Sequence, residues 1–181
     1  MSELQRFVPE DQELLVGIFY RTGYWVSTID DTDVGEESEH IEKKQLISVL
    51  EKISKAAKAG ALINELAAEA VRQKGSWTRW EGNNDDFLPD LSRAISAAKG
   101  QTNAEEYKAF EKAIMMIGTA VAEAYREDAD NAPEPEGYFS WLSEKANNVV
   151  LALTDKQSLK DMNISPQEDD ALQEMWATLK S

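Results

Sequence analysis

The sequence contains no cysteine and only one histidine, His40. The first absence rules out a disulfide framework and any thiolate metal site. The second rules out zinc sites built on several imidazoles. A Ser-His-Asp arrangement would depend on that single His40, set at the end of an acidic loop, a poor place for a positioned base. Bases are also scarce, with 19 Lys and Arg against 34 Asp and Glu, for a net charge of −15. Such a chain repels phosphate backbones and anionic headgroups, so no nucleic-acid partner is expected. No run approaches the ~18 apolar residues of a membrane span. The opening MSELQRFVPEDQELL places acids where a signal peptide has a basic start and an apolar stretch. A cytoplasmic protein is expected. No Gly-rich phosphate loop is present.

Hydrophobic residues make up 42% of the 181 positions, which is globular rather than disordered composition. That length suits a single domain, 1–181, able to bury a core without covalent staples. Apolar spacing of three and four recurs throughout, and no segment alternates as a strand does. The first helix is expected to start near Pro9, with Leu15, Ile18, Phe19, Val26 and Ile29 on one face. Gly23 lies near that face, where a missing side chain permits close helix approach. Further helices are expected over 39–58, 61–74 and 89–99, the last ended by Gly100. The stretch from Gly75 to Asp86 reads as irregular. The clearest element follows Asn103, an N-cap with Glu106 three residues on. Tyr107, Phe110, Ile114, Ile117, Val121 and Ala124 form its apolar stripe, and it is expected to run to about Asp128. After a turn-rich linker, Asp128 to Gly137, come a helix over 138–153 and one opened by Ser165-Pro166-Gln167-Glu168. The expected fold is an all-α compact bundle of about six to seven helices. Gly23 and Val26 can be laid over Gly118 and Val121, which reads either as an old duplication giving a pseudo-two-fold bundle or as coincidence.

The richest local chemistry lies between Asp30 and Glu42. Asp30, Asp31, Asp33, Glu36, Glu37, Glu39 and Glu42 stand there without a Lys or Arg. Clustered carboxylate oxygens bind hard cations, Ca²⁺ or Mg²⁺. Counted as an EF-hand loop from Asp31, positions 1, 3 and 12 are Asp31, Asp33 and Glu42. Position 6 is Glu36, however, where the sharp turn needs Gly. The competing reading is a solvated acidic loop whose later acids favour the start of the next helix. A second acid group, Glu123, Glu127, Asp128 and Asp130, ends the fifth predicted helix. Glu123 and Glu127, four apart, repel unless a cation or a base such as Arg126 bridges them. Glu37 and His40 make one Glu-x-x-His, whereas a ferritin-like di-iron site needs two such motifs. Trp77 and Trp80 are expected to pack the irregular stretch onto the core rather than to hold a ligand.

Gly23-x-x-Val26 with its acidic loop, then Glu42-x-x-x-Leu46, then the closing Ser165-Pro166-Gln167-Glu168-x-x-x-Leu172 with Trp176 and Leu179, resemble the tellurite-resistance TerB-like domains. The resemblance covers most of the chain in helix order, through three short motifs. It implies an all-helical fold with acids around a cation site, in a bacterial stress system. Carried over residue by residue, the implied ligands are Asp30, Asp31, Asp33 and Glu42, with Glu123, Glu127 and Asp128. The family's Asp-Gly pair is not kept, since Thr32 follows Asp31. Three functions remain open: a divalent-cation-binding accessory protein with a protein partner, a metal-free acidic interaction module, and an enzyme using paired carboxylates.

Overall fold

Pro9 fits the first turn of a helix, because its missing N–H is one that no helix uses there. In the computed structural model, which describes residues 1–29, 36–123, 135–155, 159–162 and 164–181, it opens α1. The α-helices are α1 (Pro9–Ile29), α2 (Glu36–Lys55), α3 (Ala61–Arg72), α4 (Trp77–Gly82), α5 (Phe87–Gln101), α6 (Ala104–Ala122), α7 (Pro135–Thr154) and α8 (Pro166–Lys180). Short 3₁₀ turns link several of them, and no strand occurs among the described residues. The all-α expectation holds.

Two helices occupy the centre. Every residue of α1 from Leu15 to Gly23 is buried, as is every residue of α6 from Ala113 to Ala122. A helix buried on all sides needs neighbours all round. Helix α1 packs against α2, α3, α5 and α6, and α6 packs against α1, α2, α7 and α8. Phe19 and Phe110 join the two across a tilted ring contact of 6.0 Å. The glycines admit the closest approaches. A Cβ on Gly23 would overlap the end of Leu46 on α2, and one on Gly118 would meet Met175 and Leu172 on α8.

The helix ends explain the joints. Asn103 accepts from the Glu105 and Glu106 amides, and Glu106 accepts in return from the Asn103 N–H, closing a capping box. Ser165 and Glu168 do the same for α8. Asn64 donates to the carbonyls of Ile53 (2.7 Å) and Ala56 (2.9 Å), tying α3 to the end of α2 and the turn after it. Gly60, with φ at +91°, turns the chain into α3.

Several expected boundaries shift. Helix α2 begins at Glu36 rather than 39 and stops at Lys55 rather than 58, where a 3₁₀ turn takes over. Helix α3 stops at Arg72, two residues short of the expected end. Helix α5 begins at Phe87 and runs through Gly100, which does not end it. The stretch read as irregular contains α4, flanked by 3₁₀ turns. Helix α7 begins at Pro135, inside the expected linker, with proline at its first position.

Candidate functional site

Of the predicted cation ligands, Glu42 and Glu123 lie among the described residues. Asp30, Asp31, Asp33, Glu127 and Asp128 lie outside them. Glu42 is buried on α2, at 9% exposure, and Glu123 is buried just past the end of α6, at 8%. Among the described residues no three Asp, Glu or His gather in a way that could hold a metal ion. Lys145 on α7 donates to Glu123 Oε2 at 2.9 Å, and the same ammonium sits 4.2 Å from the Trp141 ring centroid. A carboxylate at a helix C-terminus opposes the macrodipole, and here a lysine offsets it. Tyr138 stands one turn before Trp141. Burial, then the nearby Glu123 charge, pushes its phenol up to about 12. Lys52 of α2 lies over the Tyr138 ring at 3.9 Å. Thus α7 docks through alternating aromatic and cationic contacts, and Glu123 is part of that seam. His40 is exposed within α2.

Trp77 and Trp80 pack onto the core, as expected of aromatic anchors in that stretch. Tyr20, fully buried on α1, stacks on Trp77 at 5.0 Å and tilts against Trp80 at 5.8 Å. The Trp77 indole donates to the Ala70 carbonyl at 2.9 Å. Tyr20 donates to Glu81 at 2.6 Å, and Lys43 donates to the same oxygen at 2.8 Å. Burial, then Glu81, raises the Tyr20 phenol far above its ordinary range. This hydrogen-bonded chain ties α1, α2 and α4 together.

A wider concavity lies elsewhere. It is an open groove of about 560 Å³ beside the end of α2, with the start of α7 as its other wall. Ala56, Ala57 and the Phe139 ring give it an apolar floor, and Lys52, Lys55 and Lys58 line it. Glu51 is its one acid among the described residues. Three lysines within seven residues are visible in the sequence. Nothing in the sequence reveals that Phe139 and Ser140, more than eighty positions away, face them.

Comparison of the chain with protein-family models, with curated proteins and with solved structures gives no match.

Proposed function

We propose that the protein is a non-catalytic helical interaction module that captures an acidic peptide segment in the groove between α2 and α7. The observation that supports this reading is the lysine-lined apolar groove itself. In a chain of net charge −15 it is a local reversal of sign. At ordinary ionic strength charges beyond about 10 Å are screened, so an acid in the groove meets the lysines more than the distant surface. The floor of Phe139 and alanine methyls suits an apolar side chain, and the lysines suit the acids beside it. A helix C-terminus favours cations, so Lys52 and Lys55 are stable there. Peptide display on the intact protein tests this. Selected peptides should carry Asp or Glu beside one aromatic or Leu, and should lose binding to a Lys52→Glu, Lys55→Glu, Lys58→Glu variant. Selection of peptides without acids, or equal binding to the variant, would remove the reading.

A second reading keeps the cation. Glu42 is a buried carboxylate at the end of a run of seven acids without a base, and the TerB-like resemblance supports the same residues. On that reading the chain is a cytoplasmic accessory protein of a tellurite-type stress system, holding Ca²⁺ or Mg²⁺ at Asp30, Asp31, Asp33 and Glu42. Binding to the folded state alone would then raise stability by about 2.7 kcal/mol at a hundredfold excess over Kd. Thermal melting with chelator and then with Ca²⁺ or Mg²⁺, in wild type and in Asp31→Asn, Asp33→Asn, decides it. An equal response in both proteins eliminates this site.

A further inference from the structure

The lysines of this chain differ in what holds them. Lys43, Lys145 and Lys180 each donate to a carboxylate, of Glu81, Glu123 and Glu111, at 2.8 to 2.9 Å. Such an ion pair must break before the nitrogen can attack anything. The groove between α2 and α7 is different. Lys52 lies over the Tyr138 ring at 3.9 Å, a contact that attack would also break. Lys55 follows Glu51 by four residues on the same face of α2, within reach of that acid. Lys58 stands past the helix, in the 3₁₀ turn Ala57–Ala59. It is exposed, and among the described residues it makes no hydrogen bond and no ion pair. Its amine is the one in the groove that nothing engages.

The surroundings select the reagent. Three cations against one acid line the groove, within a chain of net charge −15. A cleft lined by one sign of charge concentrates small ions of the other sign. Glu51 offsets at most one of the three lysines. Ala56, Ala57 and the Phe139 ring offer an apolar floor beside them. An anionic phosphate joined to a short acyl group fits both features.

We infer that Lys58 is an acylation site, taking the acyl group of a small acyl phosphate that Lys52 and Lys55 draw into the groove. The Lys58 ammonium first loses a proton to water. The Nζ lone pair then attacks the acyl carbon, and the N–C bond forms as the C–O bond to phosphate breaks. The bonding pair leaves with the phosphate, which takes the second N–H proton and departs as hydrogen phosphate. The amide left on Lys58 carries no charge, so the groove loses one of its three cations. Acylation therefore turns down capture of an acidic peptide, a consequence that rests on the groove reading given above. The acylation itself does not.

Acetyl phosphate, incubated with the full chain at neutral pH and low salt, tests the site. Mass spectrometry of the digested protein follows each lysine with time. Lys44 and Lys108 are the references, being exposed, outside the groove and without an ion pair among the described residues. Lys58 should acetylate about tenfold or more faster than either, and high salt should remove most of that lead. Lys55→Gln should slow Lys58 and Glu51→Gln should speed it. Phenyl acetate, an uncharged acyl donor, should show no such preference. Equal rates at Lys58, Lys44 and Lys108, the same preference with phenyl acetate, or an unchanged Lys58 rate in Lys55→Gln would overturn the site. Acetylated wild type should also bind a Glu-rich peptide carrying one Phe several-fold more weakly than untreated protein. Failure of the peptide reading is separable, because it appears as no peptide binding before treatment, with selective acetylation of Lys58 intact.

Discussion

Replacing Tyr138 by Phe should stabilise the protein, against the usual direction for loss of a tyrosine hydroxyl. Tyr138 is 2% exposed, and its hydroxyl is buried without a hydrogen-bond partner among the described residues. Burying an unpaired hydroxyl costs about 1–3 kcal/mol, and phenylalanine removes that cost. The ring, its packing against Trp141 and its contact with Lys52 are all retained. The expected gain at neutral pH is about 1–3 kcal/mol, or roughly 2–10 °C in Tm for a chain of this size. The pH dependence supplies a second, independent signature. The Tyr138 phenol is raised to about 12 in the folded state, first by burial and then by Glu123. An unfolded tyrosine titrates near 10. Stability is therefore fully present below pH 10 and is lost as pH rises from 10 towards 12. The Phe variant lacks this loss, so its advantage should widen by about 3 kcal/mol across that range. Urea unfolding of both proteins at pH 7, 10 and 11.5 measures both effects. Destabilisation by about 1 kcal/mol at pH 7 would show that the hydroxyl is hydrogen-bonded in solution and would refute the reasoning.

Other outcomes follow from the same packing. Ile117→Ala, at a fully buried position of α6, should cost about 2–5 kcal/mol in urea unfolding, and a loss well under 1 would place that residue outside the core. Arg21→Met leaves Asp90 without its buried partner and should cost roughly 3–5 kcal/mol, with Asp90→Asn in the same protein recovering part of it. Anisotropy titrations with duplex DNA or RNA should show no salt-sensitive binding, as the −15 charge requires.

The helices were legible because their apolar residues recur at three and four. Leu46, Val49, Leu50 and Ile53 on α2 are all buried, as that spacing predicts. The two capping boxes also read directly, because capping is a local interaction over three residues. The central position of α1 and α6 did not read. Their stripes marked one face, while Val16 and Tyr20, or Met115 and Ala120, are buried on the others by helices distant in sequence. Helix α4 was hidden by the turn-forming Gly75, Gly82, Asn83 and Asn84 around it, although Trp77 and Trp80 carry a helical spacing. The acid groups show the same limit. Glu123 read as one of a repelling pair with Glu127, because its partner, Lys145, lies 22 residues on and is brought to it only by α7.

The central claim is that the lysine-lined groove takes an acidic peptide. It is tested most directly by anisotropy of a fluorescent peptide carrying Glu residues around one Phe, titrated with wild type, with Phe139→Ala and with the triple Lys52→Glu, Lys55→Glu, Lys58→Glu variant, at low and high salt. The account predicts saturable binding by wild type that weakens with salt. It predicts a weaker complex with Phe139→Ala and none with the triple variant, each variant keeping the helical circular dichroism of wild type. Binding of equal strength by the triple variant, or a wild-type affinity unmoved by salt, would contradict it.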